Sequence, residues 1–422
     1  MVAELIIHHI GRLITPKHLP PVKGKQMNEV HEIKDAFIAV ADGYILACGS
    51  GDYQEYRGKK TRLYDACGKL VLPGFIDSHT HLVFGGSRER EFAEKVAGVP
   101  YLEILKRGGG IFSTVEQTRA MSKKDLISQA NRSLEIMLGF GVTTAEAKSG
   151  YGLDIETEIK QLEVIRDLNQ IQPIELLPTY LGAHAIPKEY QGNTAAYIDL
   201  MIETMRVIKS RDLAIFTDVF CEDGVYTTAE SLRILRAANE IGLIPKIHAD
   251  EIVSTGGAGI AVEVNASSAD HLMAIRAEDV LRLANSQTVA NLLPGTSFFL
   301  DKPYANARHL IDSGVAVALA SDYNPGSSPS ENFQLIMQLA AGKLRMSPAE
   351  ILNAVTINPA FELRIADSVG SIEPGKKADI VILEADNLEY VLYHYGINHT
   401  KAVFKKGVLV FEKGRVIRGG IQ

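Results

Sequence analysis

The chain has 422 residues, 46% of them hydrophobic and 23% charged, with a formal net charge of −7. That is the make-up of a globular protein long enough for one large barrel with an appendage, or for two or three domains. A mildly acidic balance without a long basic run argues against nucleic acid or an anionic membrane as partner, and no apolar run reaches the roughly 18–20 residues of a spanning helix. Met1-Val2-Ala3-Glu4-Leu5 lacks the basic start and apolar run of a secretory signal. Cys48, Cys67 and Cys221 are odd in number and far apart, which fits a reducing cytoplasm and neither a disulfide framework nor a thiolate zinc site.

Residues Leu5 to about Leu72 read as short strands. Leu5-Ile6-Ile7 is apolar, the stretch through Lys23, Asn28 and Glu32 reads as a polar loop, and Ala36–Val40 runs through Asp42-Gly43 into Tyr44–Ala47 as a hairpin. The middle of the chain alternates. Strands are expected at Leu72–Ser78, Val142–Ala147, Ile174–Leu181, Ile215–Cys221, Ile244–Ala249, Ser267–His271, Thr288–Leu293 and Val315–Ser321. Between them, Leu126–Leu138, Ile155–Leu168, Tyr197–Ser210, Ala229–Ile241 and Ala277–Ala284 carry apolar residues at helical spacing. Near the end, Ala378–Leu383 is a strand, and Ala402–Val410 folds back around Lys406-Gly407.

Eight strands alternating with helices indicate an α/β fold, a parallel (β/α)8 TIM barrel over residues 71–365. The β-rich termini, 1–70 and 366–422, form one small β-sandwich domain into which the barrel is inserted. A doubly wound sheet, the alternative, calls for a glycine-rich phosphate loop after its first strand; Gly108-Gly109-Gly110 comes too late and reads as a flexible active-site loop or a turn.

A barrel carries its chemistry at the C-terminal ends of its strands, and metal-ligand residue types gather there. In Leu72-Pro73-Gly74-Phe75-Ile76-Asp77-Ser78-His79-Thr80-His81 the two histidines stand at i and i+2. On a strand they share a face, half of a metal site. Later strand ends contribute His184, Cys221-Glu222-Asp223, His248-Ala249-Asp250-Glu251, Asp270-His271 and Ser321-Asp322. Any one of these is weak; their recurrence at successive strand ends points to a metal-dependent active site.

Pro73–His81, His248, His271 and Ser321-Asp322 together resemble the amidohydrolase superfamily, and the resemblance spans the whole chain. His248-Ala249-Asp250-Glu251 is similar to its mononuclear, cytosine-deaminase-like branch. The longer strings His81–Glu89, Lys148–Leu153 and Asp322–Ser327 resemble members that hydrolyse the cyclic amide of 4-imidazolone-5-propanoate to N-formimino-L-glutamate in histidine degradation. The resemblance implies His79, His81, His248 and Asp322 as ligands of one divalent metal per chain, zinc or iron, whose water ionises near neutral pH. It implies Glu251 as proton carrier to the leaving ring nitrogen, with Asp322 and His271 orienting or deprotonating the water; His271 is alternatively a support for Asp322. Arg88 is then the partner of the propionate, and Tyr151 bonds the tail or ring. His184 polarises the carbonyl or donates to the oxyanion, a fifth metal ligand being its alternative. Asn324, Gly326 and Ser327 offer backbone N–H groups to the anionic product, or form an ordinary turn. Glu222 at the fourth strand end keeps open a bridged pair of metals. The rivals are an aminohydrolase of a cytosine- or guanine-like ring and a non-catalytic scaffold. The expected enzyme is a cytoplasmic homodimer acting on a small molecule.

Overall fold

The computed structural model describes residues 1–99, 103 and 107–417. What the sequence leads one to expect of residues 100–102, 104–106 and 418–422, which fall in the barrel and terminal units as drawn above, lies outside the described residues. Eight parallel strands pair in chain order: Phe75–Asp77, Val142–Lys148, Glu175–Ala183, Phe216–Cys221, Ile247–Ala249 with the short piece Ile244–Pro245 before it, Ser268–His271, Val289–Leu292 and Val317–Leu319. The ring is completed just beyond the strand ends. There the Asp322 N–H donates to the His79 carbonyl at 3.0 Å, and the His81 N–H to the Tyr323 carbonyl at 2.8 Å. The first and last strands thus meet at the segments richest in metal-ligand residues.

Local signals explain the helices between the strands. Ile155–Leu168 starts where the Asp154 side chain accepts from the Thr157 N–H, and it buries Leu162, Ile165 and Leu168 against the barrel. Thr228–Ile241 opens on a reciprocal cap between Thr227 and Glu230 and stops at Gly242, whose φ of 87° ends the helix.

The expected first strand is two strands. Leu70–Pro73 pairs antiparallel with Ile380–Leu383 in the terminal sheet, and Phe75–Asp77 begins the barrel. Gly74 separates them. A Cβ there would lie 2.3 Å from Thr143 Oγ1, so the chain changes sheets at a place with no room for a side chain.

The two termini build one nine-stranded sheet from Leu5–Pro16, Val30–Ala41, Tyr44–Ser50, Arg62–Asp65, Leu70–Pro73, Ile380–Leu383, Thr400–Lys405, Val408–Glu412 and Arg415–Val416. Asp42-Gly43 and Lys406-Gly407 take left-handed φ values, 51° and 80° and 48° and 72°, as tight hairpins require. The polar stretch is shorter than the loop expected: a 3-10 turn spans Gly24–Asn28, and strand begins at Val30. The sheet curls. Ile45 N–H donates to the Lys376 carbonyl at 2.8 Å and Ala378 N–H to that of Gly43 at 2.9 Å, closing the strands over Ile7, Ile10, Leu13, Ile38, Ile380 and Phe404. Both layers of the expected sandwich therefore belong to one curled sheet. Lys405 ties it to the barrel, with its ammonium 2.7 Å from Asp379 Oδ2 and donating to the Thr143 carbonyl at 2.9 Å. Among the described residues no helix is long and apolar enough to cross a membrane.

Candidate active site

His79 and His81 leave the first strand on one face, as their i, i+2 spacing requires. His248 lies in the fifth strand, and ligand atoms of these three lie within 4.8 Å of one another; His79, His271 and Asp322 form a second such group. Asp322 Oδ1 is 3.5 Å from both His79 Nε2 and His81 Nε2. That separation matches the roughly 3.4 Å edge of a tetrahedron of ligands about 2.1 Å from a central ion. The other oxygen, Oδ2, is occupied by the hydroxyls of Thr296 and Ser327. His79 Nδ1 is 2.6 Å from Asp270 Oδ2. A carboxylate accepts, so the ring proton sits on Nδ1 and the Nε2 lone pair is left for a metal. His248 Nδ1 lies 3.0 Å from Asp218 Oδ2, poorly aligned for a hydrogen bond. The Nε2 atoms of His79 and His248 are buried with no hydrogen-bond partner among the described residues. Buried, partnerless lone pairs converging with a carboxylate oxygen are a donor set that fits a divalent cation.

Burial holds His79, His81 and His184 neutral, well below the usual histidine range, and pushes His271 down to about 3. For His248 burial acts the same way, but the Asp218 charge outweighs it and raises the imidazole. A metal there competes with a proton. Burial, then the negative charge of Asp322, pushes the Glu251 carboxyl up to about 8, and its Oε2 lies 3.6 Å from His271 Nε2. Glu251 is thus protonated near neutrality.

A cavity of about 850 Å³ opens over this cluster, and Arg88, Tyr151, His184, Glu251, His271 and Asn324 all line it. Glu91 Oε2 accepts from Arg88 Nε at 3.0 Å and from the Gly110 N–H at 3.0 Å, so the guanidinium is aimed and the glycine-rich turn is tied to it. Its other side rests on Gly326, where a Cβ would meet Arg88 Nη1 at 2.3 Å. The backbone of Tyr151 is held from behind, its N–H donating to Gln161 Oε1 while Glu158 accepts from Gly150, Gly152 and Leu153. His184 stacks on His81 at 4.9 Å, and its Nδ1 lies 3.0 Å from the Gly150 carbonyl. A carbonyl only accepts, so neutral His184 carries its proton on Nδ1. Its Nε2 is then an acceptor, which differs from the oxyanion donor expected. The N–H groups of Gly326 and Ser327 differ likewise: both donate to Asn324 Oδ1, at 2.7 and 2.8 Å. They make a side-chain-closed turn, and Asn324, Pro325, Gly326 and Ser327 face the cavity as its lining. Glu222 bridges no pair of ligands. Its oxygens accept from the Ile252, Val253 and Asp223 N–H groups, clamping the loop that carries Glu251.

The sequence profile of the amidohydrolase family matches residues 70–416. The chain belongs to that family. Among curated amidohydrolases it is 51% identical to the imidazolonepropionase of Fusobacterium nucleatum, over 98% of this chain and 100% of the relative. It is 51% identical to that of Alkaliphilus metalliredigens over 99% and 100%, and 47% to that of Streptococcus sanguinis over 99% and 100%. Solved structures agree in fold. An adenosine deaminase from Xanthomonas campestris with bound zinc superposes with a TM-score of 0.73 at 17% identity, covering 99% of this chain and 95% of that one. Guanine deaminase of E. coli gives 0.74 at 15%, covering 97% and 99%.

The structure adds residues to this amidohydrolase site that the sequence reading gave no role. Asp218 and Asp270 back the histidines, Thr296 holds Asp322, and Phe92 stacks on Phe299 at 5.3 Å beside the cavity. A signal for the first two was present: Asp218 and Asp270 are charged residues inside the parallel strands Phe216–Cys221 and Ser268–His271, where a buried charge points into a barrel.

Proposed function

We infer that this chain hydrolyses the cyclic amide of 4-imidazolone-5-propanoate to N-formimino-L-glutamate, a step of histidine degradation. The full-length relatives of that name support the activity. The observation that carries the reading at the site is one cavity lined both by the donor set His81, His248 and Asp322 and by Arg88. We assign His79, His81, His248 and Asp322 to one divalent ion per chain, zinc or iron. Such an ion supplies a Lewis acid and hydroxide near neutral pH. Arg88 pairs with the propionate, and Tyr151 and Asn324 border the ring. His184 accepts a ring N–H through Nε2, and Gly326 leaves space for the guanidinium, with Ser327 steadying Asp322. Water adds at the ring carbonyl, with Asp322 accepting a hydrogen bond that orients it and His271 receiving its proton. The C–N bond breaks as Glu251 protonates the departing nitrogen, which leaves poorly as an anion. We assign residues 71–365 to the catalytic unit and 1–70 with 366–422 to the terminal β unit, in a cytoplasmic homodimer.

Purified protein, loaded with zinc or iron, tests this. The expected result is loss of the imidazolone chromophore, formation of the formimino product without ammonia, and about one metal per chain. Ammonia released from cytosine or guanine with the imidazolone untouched overturns the reading in favour of a deaminase; no turnover on any of them leaves a scaffold. Two metals per chain, both needed, overturn the single-ion assignment.

A further inference from the structure

Beneath the donor set the barrel holds charges that reach no solvent: the side chains of Glu146, Lys148, Asp218, Lys246, Asp270 and Glu362 are fully buried. Lys246 pairs with Glu146 at 3.0 Å and with Glu362 at 2.5 Å. Lys148 is placed differently. Its ammonium lies 2.7 Å from Asp218 Oδ2, 3.9 Å from Asp270 Oδ2 and 2.9 Å from Glu146 Oε2. Asp218 Oδ2 and Asp270 Oδ2 are the same two oxygens that stand 3.0 Å from His248 Nδ1 and 2.6 Å from His79 Nδ1. One cation therefore sits between two carboxylates, and each carboxylate faces one imidazole, Asp270 within hydrogen-bond reach of His79 and Asp218 beside His248.

We propose that Lys148 is a positioning residue of the metal centre, locking Asp218 and Asp270 so that His248 and His79 keep Nε2 turned toward the ion. This rests on the metal assignment above. Without the ammonium, the two carboxylates lose the donor they share in a dry interior, and their like charges push them apart. A carboxylate that has turned away no longer orients the imidazole N–H, so the ring loses its fixed tautomer and angle.

The test measures zinc affinity by competition with a chromogenic chelator for wild type, Lys148→Met, Asp218→Asn and the double variant. The cobalt-loaded visible spectrum and the unfolding midpoint of each metal-free protein accompany it. Lys148→Met is expected to bind zinc about 10–100-fold more weakly, the range for lost support of a metal ligand, and to shift the cobalt bands. In the Asp218→Asn background the same change is expected to cost severalfold less than in wild type, because the half of its route that runs to His248 is already cut. That comparison carries the test if Lys148→Met alone does not fold, since the double variant is charge-balanced. Unchanged zinc affinity and cobalt spectrum in Lys148→Met, or an undiminished loss in the Asp218→Asn background, overturns the proposal. Wild type that binds no zinc overturns the metal assignment itself.

Discussion

Glu251 and His271 touch at 3.6 Å, yet their surroundings assign them different work. Glu251 lies three residues past His248 and is protonated up to about pH 8; His271 is neutral and shares a ligand-sized cluster with His79 and Asp322. Glu251→Gln is expected to keep its metal and lose about 10²–10⁴-fold in turnover, the range for a missing acid–base group. His271→Ala is expected to lose turnover and also to bind metal about 10–100-fold more weakly; metal content and single-turnover rates separate the two. A stability effect follows from the same carboxyl. Its folded value is raised from 4.5 to about 8, so the folded state binds more protons between those limits, and stability falls as pH rises through that window. Each unit is worth about 1.4 kcal/mol. Metal-free Glu251→Gln, which cannot ionise, is expected to gain up to a few kcal/mol on wild type as pH goes from 5 to 8, read from denaturant unfolding. Gly326 is a residue-scale matter of space: a Cβ would meet Arg88 at 2.3 Å. Gly326→Ala is expected to raise KM about 10-fold with little change in kcat, and to do almost nothing once Arg88 is Met. An equal effect in both backgrounds would show that Gly326 acts on the turn alone.

At the scale of elements, short strands end early and their loops are held by buried carboxylates. Asp250 accepts from the N–H groups of Thr255, Gly256 and Ala258, and Glu222 from those of Ile252 and Val253. Glu158, on the helix after the second strand, accepts three N–H bonds from the loop carrying Tyr151. Glutamine in its place turns one acceptor into a donor facing an N–H. A buried donor left without an acceptor costs about 1–3 kcal/mol. Glu158→Gln is therefore expected to lower stability by about that amount and to weaken substrate binding more than metal binding; denaturant titration and KM check it. A variant as stable as wild type would mean that water replaces the lost bond.

Across the whole molecule, Leu70–Pro73 is the joint. It pairs parallel with Arg12-Leu13 and antiparallel with Ile380–Leu383, and after Gly74 the chain runs straight into the first barrel strand. The position of His79 is thus tied to strands from both ends of the sequence. A chain ending at residue 365 loses the partner of Leu70–Pro73 and bares an apolar strand edge. It is expected to aggregate on expression, and co-expression of residues 366–417 as a separate chain is expected to recover soluble, zinc-binding protein. Soluble, active truncated protein would show the barrel to be self-sufficient.

The sequence by itself determined the alternation of strands and helices, the β-rich termini, and which strand ends bear ligand-type residues, because those features repeat at the periods of local structure. Ile155–Leu168 and Ala277–Ala284 are legible to the residue, and His79-Thr80-His81 declares its shared face through spacing alone. Tertiary structure decided the rest. It split Leu72–Ser78 between two sheets, since pairing partners for Leu72 come from about 300 residues away, a separation no local pattern encodes. It turned the His184 proton toward the Gly150 carbonyl and gave the Gly326 and Ser327 N–H groups to Asn324, because hydrogen bonds go to whichever acceptor the fold brings near. It also set Lys148 between Asp218 and Asp270: residues on three different strands become neighbours only when the barrel closes.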